Sequence, residues 1–204
     1  LGEGALSAAA QVEDQEPPSP PPSPPNDAAV RRRGGGRGIR DVAIVGAGMV
    51  GAALALDLAR RGFEVVLVES REPAPWRAED EVDLRVVALA ASSVTLLDRL
   101  DVWTSISSAR ASAYRRMRVW DALAPGALAF DAADEGAAAL GYIVENRLIQ
   151  SALWQAIERQ PGIELRCPAR VVATEIVSGG AGESRAASQE SRLLSFDDGS
   201  QIKA

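Results

Sequence analysis

Residues 42–69, VAIVGAGMVGAALALDLARRGFEVVLVE, restrict the fold more than any other part of the chain. An apolar run breaks at Gly46, Gly48 and Gly51, a helix-periodic stretch follows, and a second apolar run ends on Glu69. That order predicts a buried strand over 42–46, a helix over roughly 48–61 and a second strand over 64–69, the βαβ unit whose turn binds a dinucleotide. Gly46 permits the tight bend out of the first strand, and Gly48 has no side chain to keep a diphosphate from the backbone. Gly51 lets the helix pack closely on the sheet. The amides at the helix start, around Met49 and Val50, lack intrahelical acceptors and sit at the positive end of the helix dipole, so they suit phosphate. A carboxylate at Glu69 can accept hydrogen bonds from both hydroxyls of an adenosine ribose and would repel the 2′-phosphate of NADP. The motif leaves FAD and NAD both open, against the alternative of a glycine-rich βαβ unit that holds no nucleotide. Gly62 stands where a left-handed helix cap is expected, with Ala55 and Leu58 on the helix's inner face.

Composition narrows the chemistry further. At 204 residues the chain can bury a sizeable core. A formal net charge of −6, with no basic stripe, argues against nucleic acid as a partner. With no histidine and a single cysteine, Cys167, this chain holds no Ser-His-Asp or Cys-His machinery, intrachain disulfide or metal-ligand cluster. No apolar run approaches the roughly 20 residues of a membrane span.

Outside the glycine motif the organisation is uneven. Residues 1–40 read as a disordered tail: EPPSPPPSPP (16–25) and RRRGGGRGIR (31–40) cannot form a packed core, and the first residue is Leu1, as in a fragment or processed product. Residues 86–100, VVALAASSVTLLDRL, carry a helical pattern with Leu89, Leu96, Leu97 and Leu100 on one face. MRVWDALAPGALAFDA (117–132) reads as two strands around a Pro125–Gly126 turn suited to type II. Asn146 is an expected N-cap for a helix over about 147–160, with Ile149, Leu153, Ala156 and Ile157 facing inward. Short strands are expected near 163–167 and 170–177, a flexible loop over 178–191 and a last strand over 192–198.

Three further stretches follow in order: DLRVVALAASSVTLLDRLDVW (83–103), RASAYRRMRVWD (110–121) and LGYIVENRLIQSALW (140–154). With the glycine motif they resemble the FAD-dependent aromatic hydroxylases of ubiquinone biosynthesis, closest to the branch that hydroxylates 2-polyprenylphenol, within the para-hydroxybenzoate hydroxylase class. The resemblance covers about residues 40–177. It implies an α/β, Rossmann-like FAD-binding fold with an interleaved β-rich substrate domain, to which about 105–142 contribute. It also implies FAD as cofactor, NAD(P)H as reductant, O2 as co-substrate and a polyprenylated phenol as substrate. The protein would then lie in the cytoplasm, in peripheral contact with the inner membrane, with other quinone-biosynthesis proteins as further partners. No catalytic residue is assigned, because the cofactor carries the difficult chemistry.

By the same resemblance Arg85 approaches the FAD phosphates or ring, or is a surface arginine. Asn146 contacts the cofactor, caps the helix, or does both. Val171 presents backbone to the adenine or packs in the core. Asp101 stands where glycine is usual in the family, in a left-handed cap that Asp tolerates at about 1 kcal/mol. The family's later Asp-Gly and Gly-Asp motifs are missing from the chain, which therefore reads as the N-terminal half of a longer hydroxylase, inactive alone. The alternatives are a non-catalytic nucleotide-binding or assembly subunit, and another FAD-dependent oxidoreductase.

Overall fold

The structure is a computed structural model that describes residues 40–121, 123, 126–178 and 190–204. Residues 1–39 of the tail expected over 1–40, the conformation at Pro125 and most of the loop expected over 178–191 lie outside those residues. Arg40, counted in that tail, is instead tied to the fold, its N–H donating to the Lys203 carbonyl at 2.9 Å and its Nε to Glu164 Oε2 at 2.9 Å.

The βαβ unit forms as the glycine motif predicts: β1 (Val42–Val45), α1 (Met49–Arg60) and β2 (Val65–Val68). Gly62 takes φ +91 just past α1, and Asp101 takes φ +55. The following segment departs from expectation. Residues 86–100 are not one helix, because β3 (Val86–Ala90) precedes a shorter α2 (Ala91–Arg99). Leu89 thus lies on a strand, opposite Tyr142, and only Leu96, Leu97 and Leu100 keep the helical face. Pairing with a distant strand overrides a local helical pattern there.

Next come α3 (Trp103–Arg110), β4 (Ala111–Tyr114), β5 (Arg116–Trp120), β6 (Ala127–Asp131) and β7 (Gly141–Glu145). The chain continues with α4 (Asn146–Arg159), β8 (Ile163–Arg166), β9 (Val171–Ser178), β10 (Glu190–Phe196) and β11 (Gln201–Lys203). The ends of the expected 178–191 loop are strand, with Glu190 opposite Ser178 and Ser191 opposite Val177. The short β11 carries no sequence signal of its own; it exists by pairing with β10.

Four sheets result: parallel β1-β2-β8, antiparallel β11-β10-β9, antiparallel β3-β7-β4 and the β5-β6 hairpin. Among the described residues β1 pairs only with β2, so its other edge is open. Strand β2 is the axis of the core. Val65 and Leu67 face the helices, beside Leu56, Leu153 and Ile157. Val66 and Val68 face the other way, against Leu194, Phe196 and Ile202. Strand alternation explains the division, and a strand buried on both faces reads as an unbroken apolar run. Burying each of these side chains favours folding by about 1.5–3 kcal/mol.

Helix α1 buries Ala52, Ala55, Leu56 and Ala59, and these small residues let α4 approach with Ile149, Ala152, Leu153 and Ile157. Within 105–142, Ile106 is buried in the main core and β4 pairs with β7, while the β5-β6 hairpin stands apart with both faces exposed. Among the described residues no helix is long and apolar enough to cross a membrane.

Candidate functional site

The glycine turn starts where β1 ends. Gly46 takes φ +103, a conformation a side chain would strain, and donates its N–H to the Val68 carbonyl at 2.7 Å. A Cβ on Gly51 would lie 2.0 Å from the Gly46 carbonyl oxygen and 3.3 Å from Ile44 Cγ2, so only glycine lets α1 begin this close to the strand. At Gly48 the space beyond the backbone is open. Gly48 is also the N-cap of α1, without a side chain to satisfy the amides that follow, and the first turn holds no acid. The Ala52 N–H bonds to the Gly48 carbonyl at 2.9 Å, which leaves Met49, Val50 and Gly51 with no intrahelical acceptor. An electropositive helix start that no side chain caps is therefore in place.

Glu69 stands beside it. Its Oε2 accepts the Ala47 N–H at 2.8 Å, while Oε1 accepts the Ser70 N–H at 2.8 Å, the Ser70 hydroxyl at 3.1 Å and the Arg71 N–H at 3.2 Å. Burial alone would raise the Glu69 carboxyl; the donors from Ala47, Arg71 and Ser70 outweigh it and hold the group below its ordinary value. Oε2 keeps acceptor capacity for a further donor. The bond to Ala47 adds something the motif did not reveal: Glu69 ties the end of β2 to the glycine turn. Parallel register explains the contact, because Val45 lies opposite Val68 and the residues that follow each strand meet.

The turn and the acid border one cleft of ≈ 170 Å³, lined by Val45, Gly46, Val68, Glu69, Ala169 and Val171 among others. Val171 lines this cleft and also packs against the Val66–Phe196 core. Ser70, Ala169 and Arg170, which also border the cleft, were not foreseen. The Ala169 N–H bonds to the Glu69 carbonyl at 2.8 Å, a tertiary contact that no local pattern announces.

Arg85 and Asn146 meet elsewhere. The Asn146 N–H donates to the Arg85 carbonyl at 2.9 Å, where the end of β7 meets the segment leading into β3. The Arg85 side chain is exposed, and its backbone N–H bonds to Asp83 Oδ1 at 2.9 Å. Asn146 is not the N-cap expected from sequence: it is the first helical residue of α4, and Glu145 occupies the cap position. The Glu145 side chain does not cap either, being engaged with Asp83 and Arg110. Among the described residues Asn146 Oδ1 is buried without a hydrogen-bond partner, an acceptor left open to a further donor.

The turn, Glu69 and the cleft together fit an adenine dinucleotide: a helix start no side chain caps, a glycine lane, an ionised acceptor and an adjoining hollow. Comparison with known proteins agrees with that geometry. Residues 41–80 match the family model of the FAD dependent oxidoreductases. The chain is 46% identical over 133 residues to the 3-demethoxyubiquinol 3-hydroxylase of Escherichia coli, covering 65% of this chain and 34% of that protein. It is 35% identical over 135 residues to the ubiquinone hydroxylase UbiL of Rhodospirillum rubrum, covering 66% and 31%. It is 33% identical to the human mitochondrial ubiquinone biosynthesis monooxygenase COQ6, covering 59% and 26%. The chain thus spans about a third of the length of these curated relatives. Among solved structures, p-nitrophenol 4-monooxygenase PnpA from Pseudomonas putida superposes with TM-score 0.56 at 20% identity, over 81% of this chain and 39% of that one. PqsL from Pseudomonas aeruginosa superposes with TM-score 0.56 at 18% identity, over 80% and 40%. The fold is the α/β FAD-binding fold of flavin monooxygenases.

Proposed function

We propose, with similarity to the FAD-dependent hydroxylases of ubiquinone biosynthesis as the premise, that this chain is the cofactor-binding part of such an enzyme. The whole protein hydroxylates a polyprenylated phenol, takes electrons from NAD(P)H and incorporates one oxygen atom from O2. The observation that carries this reading is the helix start at Gly48–Gly51, uncapped by any side chain, beside an ionised Glu69 that borders the adjoining cleft.

Each residue has a task in it. Gly46, Gly48 and Gly51 clear a lane for the diphosphate, and the amides of Met49 and Val50 hold it. Glu69 accepts the ribose hydroxyls, and the backbone at Val171 borders the adenine. Asn146 Oδ1 and the Arg85 guanidinium hold the cofactor farther along. FAD, when bound, supplies the electron transfer and oxygen activation; the protein holds, orients and shields it from water. The β5-β6 hairpin belongs to the substrate domain. Because a polyprenylated substrate partitions into lipid, the enzyme works in peripheral contact with the inner membrane, from the cytoplasmic side.

The test expresses the complete gene product, records its flavin absorbance and follows NAD(P)H oxidation with a polyprenylphenol. A yellow protein whose oxidation rises with substrate is expected. A colourless protein that takes up no FAD, or oxidation indifferent to the phenol, would defeat the reading. Vesicle flotation checks the membrane contact, and a protein that stays wholly in the unbound fraction would remove it.

A further inference from the structure

Between β2 and β3 the chain runs through residues 69–85 without a helix or strand. Yet this segment ends on Arg85, which the proposed function sets against the cofactor. Its internal hydrogen bonding at 76–85 is slight: Asp80 N–H to the Arg77 carbonyl at 3.2 Å and Arg85 N–H to Asp83 Oδ1 at 2.9 Å. What fixes it comes from two places in the fold, the end of α3 and the β7-α4 junction.

Arg110, at the end of α3, reaches the segment twice through Nη2, to the Ala78 carbonyl at 2.6 Å and the Asp80 carbonyl at 2.8 Å. Its guanidinium carbon also lies 5.3 Å from the centre of the Trp76 ring. Through Nη1 it meets Glu145 Oε1 at 3.0 Å. Glu145 is only 3% exposed, and its Oε2 accepts the Asp83 N–H at 2.9 Å. A carboxylate so deeply buried is costly unless it is paired and hydrogen-bonded, and both of its oxygens are engaged here. Two neighbours complete the fastening: Arg147 Nη2 holds Asp80 Oδ2 at 2.8 Å, and the Asn146 N–H holds the Arg85 carbonyl. Arg85, whose side chain is exposed, and Asn146, whose Oδ1 has no partner among the described residues, are thus joined by one backbone hydrogen bond at the end of this network.

We propose that Arg110 and Glu145 are positioning residues: an ion-pair clamp, half-buried at Arg110 and buried at Glu145, that sets residues 76–85 in place and so aims Arg85 at the cofactor. The inference rests on the functional reading above. Only a planar fork can serve Glu145, two carbonyls and the face of Trp76 together, so lysine is no substitute at Arg110.

The experiment compares the complete gene product with its Arg110→Lys and Glu145→Gln variants, two changes that conserve volume. One arm stays free of flavin: tryptic cleavage after Arg77 and Arg85, set against cleavage after Arg60 and Arg61 in the βαβ unit. The second arm measures the FAD dissociation constant by flavin fluorescence. In Arg110→Lys, cleavage after Arg77 and Arg85 should rise about tenfold or more, while sites after Arg60 and Arg61 keep their wild-type rate. FAD affinity should fall about tenfold, with Glu145→Gln intermediate in both arms. A uniform rise at all four sites means general destabilisation and overturns the clamp. So does unchanged cleavage after Arg77. Selective cleavage with FAD affinity within twofold of wild type overturns the positioning of the cofactor. A wild-type protein that binds no FAD defeats the functional reading, and the cleavage arm then judges the clamp on its own.

Discussion

Strands β2 and β5 are both short and both contain apolar side chains, yet they end in opposite surroundings. All four residues of β2 are buried, packed against helices on one side and the β9-β11 meander on the other. In β5 and its partner β6, Met117 lies opposite Phe130 and Val119 opposite Leu128, an apolar face as regular as any in the core. That face is open: Leu128 is 66% exposed and Phe130 44%. The β1-β2-β8 unit is thus held by contacts within these residues, while the hairpin is held by its own ladder and the Arg116–Asp131 ion pair at 2.7 Å. Apolar pattern marks a surface that can be covered; position in the fold decides whether it is.

The sharpest way to break this contrast is Gly51→Val. Its Cβ meets backbone, the Gly46 carbonyl oxygen, so α1 must leave the sheet. A loss above about 4 kcal/mol is expected, read as failure to fold or a collapsed melting transition. Leu56→Ala, at a fully buried site between α1 and the sheet, should cost about 2–5 kcal/mol in denaturant titration.

Glu69 gives a smaller, pH-dependent effect. Its folded pKa is depressed, so its stabilisation is complete above the unfolded glutamate range and disappears as pH falls through the folded value. Glu69→Gln should therefore be less stable than wild type at pH 7, by about 1.5 kcal/mol. The gap should close in acid, as pH falls below the ordinary glutamate range and through the depressed folded value. Equal stabilities at pH 7 would mean that the bond to Ala47 holds nothing together. The smallest effect belongs to the hairpin: Leu128→Ser with Phe130→Ser should move the stability of these 204 residues by about 0.5 kcal/mol or less. A large loss would show that the face is covered after all and would erase the contrast.

How far the sequence could be read follows the same division between local and distant causes. The glycine turn, Glu69 and the left-handed positions Gly62 and Asp101 were legible because each depends on a short stretch of backbone. Strand β3 was not, since VVALA turns from helix to strand only by pairing with β7, more than 50 residues away. Asn146 misled for a related reason. Polar residues before an apolar helix usually cap it, but here Asp83 and Arg110 had already drawn in the neighbouring Glu145. No spacing rule links Arg110 to Glu145, or Glu69 to Ala47; both pairs appear only once strands are in register. The motif already set Gly46 and Glu69 on one ligand; what it did not announce is that Ala169 and Arg170 border the same cleft, or that Arg85 and Asn146 are joined by a backbone hydrogen bond.

The open side of β1 has its own result. On that side the outward-facing peptide groups of a four-residue parallel strand pair with no other strand among the described residues. Such a row is a template onto which another extended chain can zip, a second molecule of the same kind included. Colloidal behaviour should then depend on concentration: clear and monodisperse when dilute, turbid when crowded, with a short strand-forming peptide able to delay the clouding by occupying the rail first.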